Sequence, residues 1–480
     1  MYFFAQKGLT SKKFCAARFL RKRALVIRGS RCQPLITRRL IMNIAEATRS
    51  RLVGAIGTMT PTDFSRDPGK HFTRNRKLPF QNLLLLKVSS AKGSLPEELR
   101  HFHLSKGFPP EEAPSKSSYI QQCGKLSEDA FPTLLHKFND ACSPPALLQG
   151  HQLIACDGSG FAFHSDWDWD AYVRGENGYF AVHLVALYDL ISRKYIDAEI
   201  QAGRFKNEHE AICNLTDRQK STNTKKILVA DRGLGSYNFY LHAEGIGASY
   251  LVRITESRAR SLLGKEQFAE LGEPFDVTVT RHLVRHHRKS EYLHQDCLDD
   301  YRFISSSTQF DFLKHGESGE IPLTVRIVRV KIKEGVYEYL ATNLGRAEFP
   351  ILAIKEIYRL RWGIETSFRD LKHTLGAEKF RSRQREFVIQ EIWSRMILYN
   401  FCMEIVNQVT LKKQGCKYVY CINIAQALKT CHEFLRACPH VRKSMDVIGW
   451  ILKAEPCPVR EGRNFPRKKK HQGAQSFNYR

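Results

Sequence analysis

The chain has 480 residues, of which 42% are hydrophobic and 11% aromatic, enough for two or three folded domains and too many for global disorder. Its 75 Lys and Arg against 49 Asp and Glu leave a formal charge of +26, spread along the chain, so nucleic acid is the leading partner class. A protein of a membrane surface or of ribosomal RNA would share this balance. The longest apolar run is too short for a bilayer, which predicts no transmembrane segment.

The cysteines do not indicate a disulfide framework. There are 13 of them at irregular spacings without a CxxC pair, which fits a protein of the reducing cytosol. One cluster near the C-terminus could be a zinc site, but its spacing matches none of the paired-ligand patterns, and buried free thiols are the favoured interpretation. That cluster consists of Cys416, Cys421, Cys431, His432, Cys438 and His440.

Residues 1–41 form a basic extension with eleven Lys and Arg and no acidic residue. This composition could pass for an organellar transit peptide. We favour a segment that is disordered, or one that lies upstream of a true translation start at Met42, because it has no sustained helical or strand period.

Residues 42–148 are predicted to be helical. Apolar periodicity marks five helices, separated by loops that contain Pro and Gly. The predicted helices run from Ile44 to Ile56, Leu78 to Ser90, Leu95 to Phe102, Lys116 to Leu126 and Ser127 to Asn139. Short helices with basic residues nearby predict a DNA-binding domain, although any helical bundle on a basic protein has a similar pattern.

From residue 149 to about 410 the pattern is that of an α/β domain. Short apolar runs of strand type alternate with helical segments, and two of the runs end in an aspartate. The predicted strands are 152–157, 179–186, 194–200 and 226–231, with helices at 208–215, 237–243 and 390–406.

A β-rich insertion of about residues 255–345 interrupts this domain. Alternating apolar residues predict a strand around 275–279 and, later, two strands joined at Glu334-Gly335 in a hairpin. The insertion carries a basic run from Arg281 to Lys289, for which a solvated or DNA-facing surface is favoured over a metal-binding histidine tract. The last region, 411–480, ends in a basic tail that is predicted to be disordered and to contact phosphates non-specifically.

The segment 351–375 is predicted to be one helix with two stripes. The first is an apolar stripe that faces a core. Beside it lie Tyr358, Arg361, Glu365 and Lys372, since separations of three, four and seven residues return to one side of a helix. This second stripe could be solvated, with Arg361 and Glu365 as an ordinary ion pair. Alternatively, Glu365 is one carboxylate of a metal site, flanked by side chains that hold a phosphate backbone.

Two further carboxylates favour the metal site. Asp157 and Asp231 each follow a buried run, and alone each would be an ordinary turn aspartate. Ligands bind at the carboxyl ends of strands in α/β sheets, so the two aspartates and Glu365 can form a cage for Mg²⁺ or Mn²⁺. Two such ions, about 3.5–4 Å apart, would suit an in-line displacement at phosphorus.

These residues resemble the Asp-Asp-Glu transposases of bacterial insertion sequences, in the branch marked by a Tyr-Arg-Glu-Lys signature. The similarity lies in Asp157 of CDGSG, Asp231 of ADRG and the spacing Tyr358-x2-Arg361-x3-Glu365-x6-Lys372. It extends to FSRDPGKHFTRNRKLPF, to RWGIE, to QEI and to the closing FNYR, and so covers residues 42–480. Cys123 stands where the family has a basic residue and Leu234 where it has an aromatic one, departures that bear on DNA affinity.

The resemblance implies a ribonuclease-H-like catalytic core with a β insertion, and Mg²⁺-dependent cut-and-paste movement of a DNA element. It assigns catalysis and metal binding to Asp157, Asp231 and Glu365, and the binding of transposon-end DNA to Tyr358, Arg361 and Lys372. A homodimer on double-stranded DNA is expected, because two ends must be brought together. A catalytically inactive DNA-binding relative, or a nuclease without strand transfer, would share these motifs.

Overall fold

The structure is a computed structural model that describes residues 38–459 apart from 75, 92, 175–177, 220–223, 265–267, 270, 273, 286–299 and 412–418. Residues 1–37, the basic tail from Arg460 and the end of the basic run, 286–289, therefore lie outside the described residues.

The N-terminal part of the chain is helical, and the five predicted helices are confirmed. The helices are α1 (Arg38–Gly57), α2 (Pro61–Phe64), α3 (Phe80–Ser89), α4 (Leu95–Ser105), α5 (Lys116–Cys123) and α6 (Ala130–Ala141). Local sequence sets their ends: α4 begins with a capping box, in which the Ser94 amide donates to Glu97 over 3.1 Å.

A large mixed sheet forms the centre of the molecule. Its first half comprises β1 (His151–Phe163), β2 (Tyr172–Val173), β3 (Tyr179–Asp189), β4 (Lys194–Ala202), β5 (Lys225–Ala230) and β6 (Ser249–Ile254), with α7 (Glu208–Asp217) and α8 (Tyr237–Gly245) between them. β2 and β4 both pair with β3 at one edge, and from β3 inwards the order is β3, β1, β5, β6. β3 is antiparallel to its three partners, β1, β2 and β4, whereas β1, β5 and β6 are parallel to one another. This mixed α/β arrangement fits a ribonuclease-H-like core.

Side chains of β1 alternate between two hydrophobic layers. Leu153 and Ala155 belong to the layer shared with the N-terminal helices, and Ile154 and Cys156 to the layer that contains α7 and α8. Because β1 has helices on both faces, its first half is apolar without interruption, as strands buried on both sides usually are.

The predicted insertion extends the same sheet. It contains α9 (Glu256–Leu263), β7 (Phe275–Val284), β8 (Tyr301–Phe303), β9 (Glu320–Lys333) and β10 (Val336–Thr342), in the sheet order β6, β10, β9, β7, β8. The predicted hairpin is confirmed, since β9 and β10 pair antiparallel around Gly335, whose φ is +65°. Its β-rich character is therefore confirmed, and pairing with β6 joins the insertion to the core.

The predicted solvent- or DNA-facing role is wrong for two arginines of the insertion's basic run. Arg281 is buried and donates to the carbonyl oxygens of Leu262 and Leu263. Arg285 is also buried and donates to three backbone carbonyls of the 308–313 segment. Both guanidinium groups tie the insertion together, because a five-donor fork can satisfy several carbonyls that no strand pairs.

The segment 351–375 is helical but not uniform. It contains α10 (Ile351–Leu360), α11 (Trp362–Arg369) and a π-helical turn at 370–374. At Arg361 the winding tightens, because its amide donates to Tyr358 at i−3. The elements that follow are α12 (Arg385–Val406), β11 (Val419–Cys421), α13 (Ile424–Arg436), α14 (Pro439–Ser444), α15 (Val447–Lys453) and β12 (Cys457–Val459).

Among the described members of the C-terminal cysteine cluster, no three side chains lie close enough together to bind one metal ion. Cys416 lies outside the described residues. Cys431 is buried, as predicted, and Cys421 and Cys438 are partly buried; all three are free thiols. Among the helices described, none combines the length and the apolar character that a bilayer crossing requires.

A buried ion pair joins the N-terminal helices to the sheet. The Glu404 carboxylate of α12 forms ion pairs with Lys194 at the start of β4 and, at 3.0 Å, with Arg51 of α1. It also accepts a hydrogen bond of 2.7 Å from the Ser143 hydroxyl. Only 2% of the Glu404 side chain and 10% of the Lys194 side chain are exposed. Burial alone would raise the pKa of Glu404, because it disfavours the charged carboxylate. The contacts with Lys194 and Ser143 have the larger effect and lower the pKa below its usual value.

We expect Glu404→Gln to lower the free energy of unfolding by about 3–5 kcal/mol, because Lys194 would keep a buried charge without its partner. In the unaltered protein this stabilisation is complete above the usual carboxyl pKa and declines as the pH falls below it. Urea unfolding at a series of pH values from 7 to about 2 would measure both effects. The Glu404→Gln/Lys194→Met double variant should recover part of the loss; losses that simply add would contradict a coupled pair.

Candidate active site

Two parallel strands separate at the point where the two predicted aspartates lie. The ladder between β1 and β5 has Cys156 and Ala230 as its last pair, and the next residues are Asp157 and Asp231. Neighbouring strands are about 4.8 Å apart, so register alone brings these two residues side by side.

The prediction that the first strand ends at Asp157 is wrong. β1 continues to Phe163, paired with β3 from Ile154 onward, so Asp157 lies in the middle of a strand and faces Ala186 across the ladder. β3 is long enough to pair with Gly158, Ser159 and Gly160, and this antiparallel pairing continues β1 beyond Asp157. The residues of β1 alone do not indicate how long the neighbouring strand is.

Glu365 reaches the first aspartate through a shared arginine. Arg361 lies where α10 meets α11, and its Nη2 donates to Glu365 Oε1 over 2.6 Å. Its Nη1 lies 3.4 Å from Asp157 Oδ2. One guanidinium thus contacts carboxylates from two segments more than 200 residues apart in sequence. Arg361 is only 2% exposed, so the interpretation of this stripe as solvated is wrong for this residue.

Asp231 has its own set of partners. The Tyr358 hydroxyl donates to Asp231 Oδ1 over 3.4 Å, and Arg253 Nη2 on β6 lies 3.2 Å from the same oxygen. The carboxylate also accepts the Arg232 amide at 2.7 Å. Tyr358 is buried, so two of the four predicted signature side chains, Tyr358 and Arg361, point at the aspartates.

Lys372 lies apart from the carboxylates, in the π-helical turn. Its ammonium donates to the Gly160 carbonyl over 2.7 Å and lies 4.7 Å from the centre of the Phe161 ring. Burial lowers the pKa of Lys372. The side chain therefore anchors the turn to β1, a few residues beyond Asp157, and remains partly accessible to a ligand.

The two aspartates have opposite electrostatic environments. Burial raises the pKa of Asp157 to about 6, against the lowering effects of Arg361 and the Gly158 amide, and Glu365 raises it further. Burial alone would also raise the pKa of Asp231, but the Arg232 amide and the charges of Arg361 and Arg253 have the larger effect and lower it. The site thus concentrates negative charge that one buried guanidinium only partly compensates.

Sequence reasoning missed further charged residues around the aspartates. Glu208, in the first turn of α7, lies against Gly158, and His183 of β3 lies 3.8 Å from its carboxylate. Arg253 bridges Asp231 and Glu338, the latter at 3.7 Å. The sequence predicted a helix that starts at Glu208, but it did not indicate that this residue lies beside Gly158 of β1. That contact depends on how the strands pair in the sheet.

The chemistry of the predicted ligands suits a divalent cation. The predicted ligands supply only carboxylate oxygens, which Mg²⁺ and Mn²⁺ prefer. The Nε of Arg361 is buried with no hydrogen-bond partner among the described residues, so its compensation of the acids is incomplete. Among the described residues no three His, Cys, Asp or Glu side chains converge closely enough to hold a metal ion, and this includes the three predicted acids. Arg361 contacts Asp157 and Glu365, and Tyr358 and Arg253 contact Asp231.

Comparison with known proteins identifies the family. The model of the transposase DDE domain matches residues 148–401, just over half of the chain and the whole segment that contains the three acids. The chain belongs to this transposase family. The match begins at the segment that leads into β1 and ends within α12, so both the ribonuclease-H-like strands and the insertion belong to the transposase domain.

Individual relatives are more distant. The transposase InsG of insertion sequence element IS4 from Escherichia coli (strain K12) is 25% identical over 158 residues, which are 30% of this chain and 34% of that protein. The match thus spans about a third of the curated relative's length. Among solved structures, the cryo-EM synaptic complex of piggyBac transposase with hairpin DNA aligns with 87% of this chain and 83% of its own, at a TM-score of 0.40 and 10% identity.

Proposed function

We propose that this transposase moves an insertion sequence by metal-dependent DNA cleavage and strand transfer, in a cut-and-paste reaction. One observation carries the proposal. Within the family-matched domain, Arg361 contacts both Asp157 of β1 and Glu365 of α11, and Tyr358, three residues before Arg361, contacts Asp231 at the end of β5. Their order, two aspartates followed by a glutamate on a helix, is that of the Tyr-Arg-Glu-Lys branch, to which we assign the chain.

The three carboxylates would hold one or two Mg²⁺ or Mn²⁺ ions. A bound ion supplies the charge that stabilises the attacking and leaving oxygens at phosphorus. Asp157 and Asp231 are positioned by rigid strand register, and Glu365 by a helix packed on the sheet. Arg361 orients Asp157 and Glu365, while Tyr358 and Arg253 orient Asp231.

Two phosphoryl transfers then follow at the same site. In the first, water attacks the phosphorus at the element end, the P–O3′ bond breaks and the 3′-hydroxyl is released. In the second, that hydroxyl attacks a phosphodiester of the target and displaces its 3′ oxygen. Neither step needs a covalent enzyme intermediate, so positioning and charge stabilisation suffice.

DNA is the partner that this chemistry requires. Lys372 is partly exposed beyond the acids and can receive a backbone phosphate, and we assign Tyr358 and Arg361 to the DNA end next to the reacting phosphorus. The N-terminal helices would bind the terminal sequence. A homodimer would hold two ends together.

The test uses the full chain and labelled duplexes from the DNA that flanks its gene, with Mg²⁺, Mn²⁺ or EDTA. Nicking, hairpin formation and joining are scored on one denaturing gel. Cleavage at a unique end that needs the metal, followed by joining, is the expected result. Cleavage without joining would indicate a nuclease, and tight binding without cleavage in any divalent ion would indicate an inactive DNA-binding relative; either would overturn the proposal.

A further inference from the structure

A second basic site lies away from the carboxylates, in a cavity of about 230 Å³. The cavity is enclosed by α1, α3 and α4 from the N-terminal part and by α13 and α14 from the C-terminal part, and it shares no residue with the candidate active site. Its charged lining comprises Arg49, Glu98, His101, Lys106, Arg436 and Arg442. It is therefore a place where two distant parts of the sequence meet around cations.

One of these cations is fully compensated. Arg436 Nη1 donates to Glu98 Oε2 over 2.5 Å, and the same carboxylate accepts the Ala91 amide at 3.0 Å. Glu98 is only 4% exposed. Burial and Arg436 lower the pKa of His101, so at neutral pH this histidine adds no charge. Arg436 and Glu98 together form a neutral wall.

The remaining three cations share a single carboxylate. Glu46 lies 3.2 Å from Arg49 Nη1 and 3.4 Å from Arg442 Nε, and its side chain is 43% exposed. Lys106 has no ion pair among the described residues, and its ammonium lies 5.5 Å from the centre of the Phe102 ring. The cavity thus carries an excess of two positive charges. Burial and the nearby Arg49 and Arg442 lower the pKa of Lys106, as expected for crowded cations.

One donor in this cluster is unused. The Nε group of Arg49 is buried and donates no hydrogen bond within the described part of the chain, whereas the Nε group of Arg442 faces Glu46. Buried N–H groups in native proteins nearly always have an acceptor, so the orphaned Arg49 donor in a cluster with excess positive charge indicates a missing ligand. That ligand must be an acceptor with negative charge.

We infer that this cavity binds one phosphate group through Arg49, Lys106 and Arg442. A tetrahedral oxyanion offers several acceptor oxygens to guanidinium forks and to an ammonium. The volume is below that of ordinary small-molecule pockets, which accommodates a phosphate but not a whole nucleotide. If the proposed function is correct, the phosphate belongs to a DNA backbone, and this assignment rests on that proposal. Free inorganic phosphate has the same chemistry and is the other source.

Lys106→Met in the full chain is the main variant, since Lys106 is exposed at the rim of the cavity and its replacement breaks no ion pair. Lys429→Met is the matched control, because Lys429 is an exposed lysine on α13 that does not line the cavity. The first arm measures the thermal unfolding midpoint with inorganic phosphate or with chloride at equal ionic strength. Phosphate should raise the midpoint by about 2–4 °C in the unaltered protein and in Lys429→Met, and clearly less in Lys106→Met.

The second arm measures duplex DNA binding at several salt concentrations. If the phosphate belongs to DNA, the slope of log K against log salt should fall by about one in Lys106→Met and stay unchanged in Lys429→Met. A phosphate effect without a slope change assigns the cavity to free phosphate. If Lys106→Met and Lys429→Met behave alike in both arms, the inference is overturned. The measurement with inorganic phosphate needs neither DNA nor cleavage. It therefore tests phosphate binding in the cavity even if the proposed DNA cleavage and strand transfer are not observed.

Discussion

Glu365→Gln is expected to abolish DNA cleavage while DNA binding persists. The substitution keeps the size and the helical position of the side chain but removes the charge that pairs with Arg361 over 2.6 Å. Loss of one charged contact at a phosphoryl-transfer site costs at least about 10²–10³-fold in rate. Single-turnover cleavage of a labelled duplex with Mg²⁺ measures the rate, and gel shift measures binding.

Glu356→Gln is the matched control for this variant. Glu356 lies on α10, the helix that precedes Arg361, but its ion pair is with Arg359 at 3.4 Å. It should cleave DNA at close to the unaltered rate. Equal activity of Glu365→Gln and Glu356→Gln would remove Glu365 from the catalytic set, whatever happens to the two aspartates.

Gly158→Ala is expected to lower both activity and stability. A Cβ at this position would lie 2.2 Å from Glu208 Oε1 and 2.5 Å from His183 Nε2, so both side chains or β1 itself must move. Overpacking of this kind costs about 1–3 kcal/mol. Because Asp157 directly precedes this residue, a shift of about 1 Å in β1 could reduce the cleavage rate about 10²-fold.

Gly160→Ala separates this effect from general β-strand effects. Gly160 is two residues further along the same face of β1, and a Cβ there meets no atom within 4 Å. Urea unfolding and the cleavage rate should therefore change little in Gly160→Ala. The same losses in both variants would show that Glu208 and His183 do not constrain the strand beside Asp157.

The aspartates illustrate how much of the site follows from strand periodicity. Ile227 to Ala230 forms an apolar run that a polar Asp231 ends, and the structure places β5 at Lys225–Ala230. The same reasoning misplaced the end of β1, because β3 pairs with Gly158, Ser159 and Gly160 and continues the strand. A strand end therefore depends on the length of the neighbour, which is a long-range property.

The stripe on 351–375 shows the limit of helical periodicity. Spacing predicted that Tyr358, Arg361, Glu365 and Lys372 share one side of a helix. Tyr358 and Arg361 contact the aspartates, and Glu365 is joined to Asp157 only through Arg361. Lys372 contacts Gly160 instead, because the chain widens into a π-helical turn and the side chain leaves the stripe. An ideal 3.6-residue period does not contain such a change of winding.

Local sequence was enough to predict the helical N-terminal part, the strands of the core and the hairpin of the insertion, and to propose the three acids, since each depends on local period, turn chemistry or composition. Long-range contacts place the insertion in the central sheet, bury Arg281 and Arg285, and bring Arg49, Lys106 and Arg442 around one cavity. These are contacts between residues far apart in the chain. Their energies come from packing and desolvation, which a local pattern does not specify.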